Sequence, residues 1–318
     1  MNSTPFVSSA YQRLMQRLRA GAVAVLDGPT GTELQKRGAP MDPRAWCGPA
    51  TLGNDRLLME IHADYIAAGA EIVTANTFAA SRLMLADAGL ADRSGEIVAR
   101  AVAAALAARE GHPDVVVAGS FSHMVPVAAG TDALDPARTP GETAVAEAFA
   151  ELAEGLKAAG VELLILEMMY HPARTRLAVQ AALATGLPVW FGLSARRGAD
   201  GAVLGFNRRE DIPLDDIAAL IPPTGVDVAG VMHTEAGLVG DALATVRRHF
   251  AGPLMAYPDS GYFAMPNWHF VDIISPETYT RFCREWVEAG AQVLGGCCGL
   301  GVEHVRAAAA VRDSLRCG

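Results

Sequence analysis

The chain has 318 residues and a formal net charge of −9, and this length fits one large α/β domain. Hydrophobic residues make up 51% of the sequence, which is enough to bury a substantial core. The acidic balance and the lack of a basic cluster argue against nucleic acid as a partner. No apolar run reaches the roughly 18 residues of a membrane span, so we expect no membrane partner either.

Residues 1–20 predict a helical extension, with Tyr11, Leu14, Met15 and Leu18 on one face. This segment lacks the apolar stretch of a signal peptide. The five cysteines are odd in number and two are adjacent, unlike the disulfide framework of a secreted protein. We therefore expect a cytoplasmic protein, with one domain over residues 1–318.

Eight short apolar runs then alternate with helical patterns along the chain. Continuous apolar runs are typical of buried parallel strands. The runs are 22–26, 72–75, 115–119, 163–166, 189–193, 226–231, 254–256 and 292–294, and the clearest helices are 56–68, 142–159, 172–185, 235–250 and 276–289. The alternation predicts an α/β fold with a single (β/α)₈ TIM barrel, and an open doubly wound sheet is the alternative.

Polar side chains follow most of the predicted strands. Asp27 follows the first strand, Asn76 the second, Glu167 the fourth, His233 the sixth and Cys297 the eighth. In a barrel of this type the active site lies at the carboxyl ends of the strands. We therefore expect these residues to meet around one cavity.

The strongest chemical signal is the sequence Gly-Gly-Cys-Cys-Gly at 295–299. Thiolates are strong zinc ligands, and a catalytic zinc takes three protein ligands and keeps one position open. Cys297 and Cys298 thus predict a Zn²⁺ site, with two small core cysteines as the alternative. His233 is the best candidate for the third ligand, and His123 and His171 are the other candidates.

Two carboxyl groups and several small polar groups are candidates for substrate binding. Asp27 and Glu167 suit either a substrate ammonium or acid–base catalysis, although Asp27 also fits a helix cap. The segment from Gly28 to Thr32 lacks the spacing of a nucleotide-binding loop. The remaining substrate-binding candidates at the strand ends are Gly28, Thr30, Asn76, Thr77, Phe78 and Tyr257.

Taken together, these motifs resemble the homocysteine S-methyltransferase family, over about residues 24–306. The matching segments are 26–28 with 31–34, 37–38, 75–78, Glu167, 257–258 with 260–261, and 295–299 followed by His304. The resemblance implies a barrel with zinc on three thiolates. It also implies that Asp27 and Glu167 bind the amino group of homocysteine.

The sequence departs from that family pattern at the sixth strand. The family's usual third cysteine is replaced by His233, and the preceding Asn is replaced by Met232. Asp259 stands where many members have Asn. Two thiolates and a neutral imidazole leave a less anionic zinc than three thiolates do. Such a site favours a reactive, sulfonium-type methyl donor, because thiolate nucleophilicity falls with thiol pKa.

The resemblance implies a zinc-dependent methyl transfer from a sulfonium or betaine donor to the thiol of homocysteine, which gives methionine. The expected partners are these small molecules and, as a possibility, further copies of the chain in a homo-oligomer. One alternative is a zinc enzyme of the same fold that acts on another thiol or activates water. The other is an altered family member that serves as a binding or regulatory protein.

Overall fold

A computed structural model of the protein describes residues 7–128, 135–264 and 269–316. Eight parallel strands form its central sheet. They are β1 (Ala24–Val25), β2 (Ile72–Ala75), β3 (Val116–Ser122), β4 (Leu163–Met169), β5 (Val189–Leu193), β6 (Val228–Glu235), β7 (Leu254–Asp259) and β8 (Ala291–Leu294). Each strand pairs with its neighbour in chain order from β2 to β8, and β8 pairs with β1.

A parallel bridge between Leu26 and Ile72 joins β1 to β2. The Asp27 amide donates to the Ile72 carbonyl over 3.0 Å, and the Glu71 amide donates to the Val25 carbonyl over 2.8 Å. These contacts bring the two ends of the sheet together. The predicted eight-stranded barrel is therefore confirmed, and the open doubly wound sheet is wrong.

Helices surround the barrel and fill the connections between strands. They are α1 (Ser9–Arg19), α2 (Thr30–Lys36), α3 (Asp55–Ala67), α4 (Arg82–Leu85), α5 (Ser94–Ala108), α6 (Glu142–Ala159), α7 (Pro172–Ala184), α8 (Leu214–Ala218), α9 (Val239–Arg247), α10 (Pro276–Glu288) and α11 (Val302–Arg316). Two antiparallel hairpins, Ala195–Arg197 with Val203–Gly205 and Tyr262–Ala264 with His269–Val271, follow β5 and β7. None of the described helices is long and apolar enough to cross a membrane.

Four strands run past their predicted ends. β3 continues to Ser122, β4 to Met169, β6 to Glu235 and β7 to Asp259. Glu167 and His233 therefore lie inside strands, whereas the sequence placed them in the loops that follow. Apolar runs mark where a strand is buried on both faces, and they do not mark where its backbone pairing stops.

Helix α1 closes the amino-terminal end of the barrel. Its buried residues pack in one cluster with interior residues of the strands, such as Leu163, Trp190 and Val228. The Trp190 indole donates to the Tyr11 hydroxyl over 3.0 Å, and that hydroxyl donates to Asp227 over 2.7 Å. The apolar face of α1 predicted from the sequence is thus the face that packs against the barrel interior.

We propose that α1 and the barrel fold as one domain. Leu14 is 1% exposed in this cluster, so Leu14→Ala should lower the free energy of unfolding by about 2–5 kcal/mol. The shift in the thermal unfolding midpoint measures this loss. Gln16→Ala, on the exposed face of α1, is the matched control and should change stability by at most about 0.5 kcal/mol. Equal effects of the two variants would mean that α1 is not part of the folding unit.

Candidate metal centre and substrate cavity

The cysteine pair lies in the turn after β8, where neighbouring backbone holds it on both sides. The Cys297 amide donates to the Pro258 carbonyl over 2.6 Å, and the Ser260 amide donates to the Cys298 carbonyl over 3.0 Å. Gly299 follows with φ +84°, and a Cβ there would collide with the Ser260 carbonyl. The glycine is therefore required for the turn to approach β7 so closely.

His233 reaches the same point from β6 by means of a one-residue bulge. Met232 pairs with Tyr257 and Glu235 with Asp259, so β6 uses one residue more than β7 over this stretch. His233 has φ +45°, a left-handed conformation that is uncommon outside glycine. A bulge of this kind re-aims a side chain at a strand end.

The three predicted ligands form one compact group. The Cys297 and Cys298 sulfurs lie 3.8 Å apart, and His233 Nδ1 lies 3.6 Å from Cys297 Sγ. A tetrahedral zinc with Zn–S of about 2.3 Å and Zn–N of about 2.1 Å places two sulfurs about 3.8 Å apart, and sulfur and nitrogen about 3.6 Å apart. These two distances match a zinc ion, and all three donor atoms lie within 4.8 Å of one another.

The two alternative histidine ligands do not join this group. His123 Nε2 accepts hydrogen bonds from the Tyr170 and His171 amides over 3.3 and 3.2 Å. His171 begins helix α7 at its N-cap position. Among the described residues, only His233, Cys297 and Cys298 are brought together as a candidate metal group.

The neighbouring thiol and burial together raise the pKa of Cys297 well above its usual value, while His233 acts in the opposite direction. A negative charge on the neighbouring sulfur opposes ionisation of Cys297, because like charges repel. A divalent cation removes this penalty, since metal binding displaces the thiol protons. A bound cation would therefore favour the thiolate form of Cys297.

Glu167 lines the cavity from β4, next to a second bulge. Leu166 pairs with Phe191 and Met169 with Leu193, so β4 also carries one extra residue, and Met168 has φ +57°. Burial raises the pKa of Glu167 to about 7, against the lowering effects of Ser120 and His233. A carboxyl group in this state is poised to ionise when a cation binds beside it.

Asp27 lies beneath the cavity wall and is fully buried. Its carboxyl oxygens accept hydrogen bonds from the Thr74 amide over 2.6 Å, the Thr74 hydroxyl over 3.1 Å and the Tyr257 hydroxyl over 3.4 Å. Burial raises its pKa well above the usual value; the Thr74 bonds oppose this shift, and the charge of Glu167 adds to it. Asp27 thus fastens β1 to β2 and supports the cavity from behind.

The other predicted substrate-binding residues divide into two groups. Gly28, Thr30, Asn76, Phe78 and Tyr257 line the cavity, but Thr77 does not. The Thr77 hydroxyl donates to the Ser120 carbonyl over 2.8 Å, which ties β2 to β3. The Asn76 amide nitrogen donates to the Cys47 carbonyl and the Thr51 hydroxyl, so this side chain ties the end of β2 to the loop before α3.

The cavity opens to solvent at the carboxyl ends of the strands and, together with the open space at its mouth, has a volume of about 1010 Å³. Sequence reasoning missed much of its wall, which is aromatic and thioether-rich and includes Trp46, Met84, Met124, Phe263 and Phe270. Trp46 ends a tight turn in which Asp42 accepts hydrogen bonds from the Arg44 and Ala45 amides. The Asp-Pro pair at 42–43 signals this turn, but nothing in the sequence shows that the turn brings Trp46 to the cavity wall.

The fold and these side chains define a (β/α)₈ barrel protein with a thiol–imidazole group at the strand ends. Residues 24–312 match the family model described as homocysteine S-methyltransferase. The chain therefore belongs to the homocysteine S-methyltransferase family, a family of enzymes.

Individual relatives agree with this assignment. Homocysteine S-methyltransferase 4 of Zea mays is 26% identical over 323 residues, which cover 93% of this chain and 91% of the relative. Homocysteine S-methyltransferase of Escherichia coli is 28% identical over 305 residues, which cover 87% and 91%. The structure of the metallated homocysteine methyltransferase MmuM from Escherichia coli shares the fold, with a TM-score of 0.71, 23% identity, and coverage of 95% of this chain and 99% of that one.

Removal of one thiol should remove the candidate metal centre. We expect Cys298→Ala to lose stoichiometric zinc, because one thiolate and one imidazole leave too few ligands for tight binding. Inductively coupled plasma mass spectrometry of the purified proteins measures the zinc content. Cys283→Ala, at a cysteine buried in helix α10, is the matched control and should keep its zinc. Full zinc in Cys298→Ala would contradict the assignment of this ligand.

Proposed function

We propose that the protein is a zinc-dependent methyltransferase that moves a methyl group from a sulfonium or betaine donor to the thiol of homocysteine, which gives methionine. His233, Cys297 and Cys298 would hold the zinc. The observation that carries this proposal is the spacing of their donor atoms, 3.6 and 3.8 Å. Reduced thiols at the site require a reducing compartment, which favours the cytoplasm.

When bound, zinc supplies Lewis acidity that keeps a coordinated substrate thiol deprotonated at neutral pH. The protein's own residues then set the position of homocysteine. Glu167 lines the same cavity as Cys297 and Cys298, so one substrate can reach the carboxyl group and the metal centre together. Holding both ends of the acceptor fixes its sulfur relative to the donor, and such positioning lowers the barrier to reaction.

Glu167 is the residue best placed to bind the ammonium group of homocysteine. A charge-assisted hydrogen bond to that ammonium would stabilise the ionised carboxylate in a site that otherwise disfavours it. Asp27 would act from behind, since its charge is coupled to Glu167 and its oxygens hold Thr74 and Tyr257 in place. Asp27 would therefore support the binding site without lining the cavity.

The apolar part of the cavity suits a methyl donor that carries a fixed positive charge. Trp46 and Phe78 pack edge to face at 6.1 Å, and both line the cavity. Aromatic faces attract sulfonium and quaternary ammonium groups, and this attraction is strongest where water is excluded. Arg44 lies on the same wall and offers a guanidinium for the carboxylate that such donors carry.

The reaction balances without any further reagent. The acceptor sulfur forms a bond to the donor methyl carbon, while the bond from that carbon to the donor's S⁺ or N⁺ breaks. The bonding pair leaves with the donor, which departs as a neutral thioether or tertiary amine. The acceptor thiol loses its proton to solvent before the transfer.

We expect the zinc-loaded protein to form methionine from homocysteine and at least one onium donor. The assay is mass spectrometry of product with homocysteine and a panel of S-methylmethionine, S-adenosylmethionine, dimethylsulfoniopropionate and glycine betaine. Other thiols and water serve as competing acceptors and should react more slowly. No methionine from any donor at full zinc occupancy would overturn the proposal and favour either a different acceptor or a binding protein.

Glu167→Gln should raise the KM for homocysteine about 10- to 100-fold, because a charge-assisted hydrogen bond is worth about 1.5–3 kcal/mol. Its zinc content should stay stoichiometric. Glu110→Gln, an exposed residue remote from the cavity, is the control and should leave the KM unchanged. An unchanged KM in Glu167→Gln would exclude Glu167 as the group that binds the ammonium.

A further inference from the structure

Asp259 is a carboxylate beside the metal centre for which the proposed function has no use. It is the last residue of β7, and its Oδ2 atom lies 3.8 Å from Nδ1 of His233. Both side chains are largely buried, at 21% and 14% exposure. Among the described residues, His233 is the partner within ion-pair distance of this carboxylate. A buried carboxylate generally requires a compensating positive charge.

Backbone contacts fix the position of Asp259 relative to the two thiols. The preceding carbonyl, of Pro258, accepts from the Cys297 amide, and the following amide, of Ser260, donates to the Cys298 carbonyl. The Ser260 hydroxyl in turn accepts from the Ile274 amide over 2.9 Å. The carboxylate is thus attached to the same rigid segment that holds the cysteines.

The carboxylate lies on the ligand side of the imidazole ring. The same nitrogen, His233 Nδ1, is 3.6 Å from Cys297 Sγ and 3.8 Å from Asp259 Oδ2. Asp259 itself stands outside the compact ligand group. Its contribution would therefore be charge next to the cation rather than a bond to it.

Charge counting indicates what this residue does. A divalent cation held by two thiolates and one neutral imidazole forms a neutral centre, and the Asp259 carboxylate makes the local charge −1. A nearby negative charge favours cation binding and leaves a coordinated thiol more electron-rich, since ligand surroundings tune a metal's affinity and acidity.

We propose that Asp259 is a positioning residue that supplies the negative charge that a third thiolate ligand would otherwise provide. The effect of Asp259 on metal binding would therefore depend on the presence of His233 as the third ligand. This inference rests on the metal centre of the proposed function. It does not depend on which methyl donor or acceptor the enzyme uses. His233 and Asp259 thus act as one unit, contributed by neighbouring strands.

The first test measures zinc affinity directly, by competition with a chromophoric chelator on the full-length protein. Asp259→Asn should weaken zinc binding about 10- to 100-fold, the range typical of groups just outside the ligand shell. Glu235→Gln is the matched control, because Glu235 pairs with Asp259 in register and is exposed. It removes the same formal charge at the same rim and should change zinc affinity less than threefold. An unchanged affinity in Asp259→Asn would overturn the proposal.

The second test repeats Asp259→Asn in a His233→Cys background. With three thiolates present the carboxylate only adds repulsion, so its removal should leave zinc affinity unchanged or improve it. This difference between the two backgrounds separates the proposed role from a loss of folding, which would weaken binding in both. An equal loss in both backgrounds would therefore overturn the proposal.

Cobalt substitution gives an independent readout of the ligands. The Co²⁺ forms of the unaltered protein and of Asp259→Asn should both show the thiolate-to-metal charge transfer of two sulfur ligands, and His233→Cys should show stronger charge transfer. If zinc affinity follows the predicted pattern but no methionine forms, the proposed function fails and this inference stands. If methionine forms but Asp259→Asn leaves zinc affinity unchanged, the proposed function stands and this inference fails.

Discussion

One buried serine holds together the two strands on which the candidate site depends. The Ser194 amide donates to the Met169 carbonyl of β4 over 3.2 Å, and its hydroxyl donates to the Met232 carbonyl of β6 over 2.7 Å. Both of these strands carry a bulge at the cavity, and β5 lies between them. Ser194 therefore fixes both bulges from one position.

The bulges matter because they place non-glycine residues in left-handed backbone. Met168 and His233 have φ +57° and +45°, and such conformations cost about 1–3 kcal/mol each. The closed barrel bears this cost, since pairing on both sides of each strand leaves the backbone little freedom to relax. In return, His233 joins Glu167 at one cavity, where a straight β6 would turn it away from the interior that Val228 and Met232 face.

The two ends of the barrel have different tasks. At the amino-terminal end, α1 covers the interior with apolar side chains. Tyr11 of α1 also accepts a hydrogen bond from Trp190 and donates one to Asp227. At the carboxyl end, the interior gives way to thiols, carboxyls and an aromatic wall. The cavity therefore opens at the end of the barrel that carries the thiols and carboxyl groups.

The sequence by itself determined the barrel, the cysteine pair and the likeness to a family, because apolar runs and a Gly-Gly-Cys-Cys-Gly segment are local patterns. It also named His233 over His123 and His171. Only the tertiary structure decided that Asp27 lies behind the cavity wall, that Thr77 bonds the neighbouring strand and that Trp46 lines the cavity. It alone brought Asp259 beside His233. Strand register and bulges set these positions, and they depend on pairing between segments far apart in the chain.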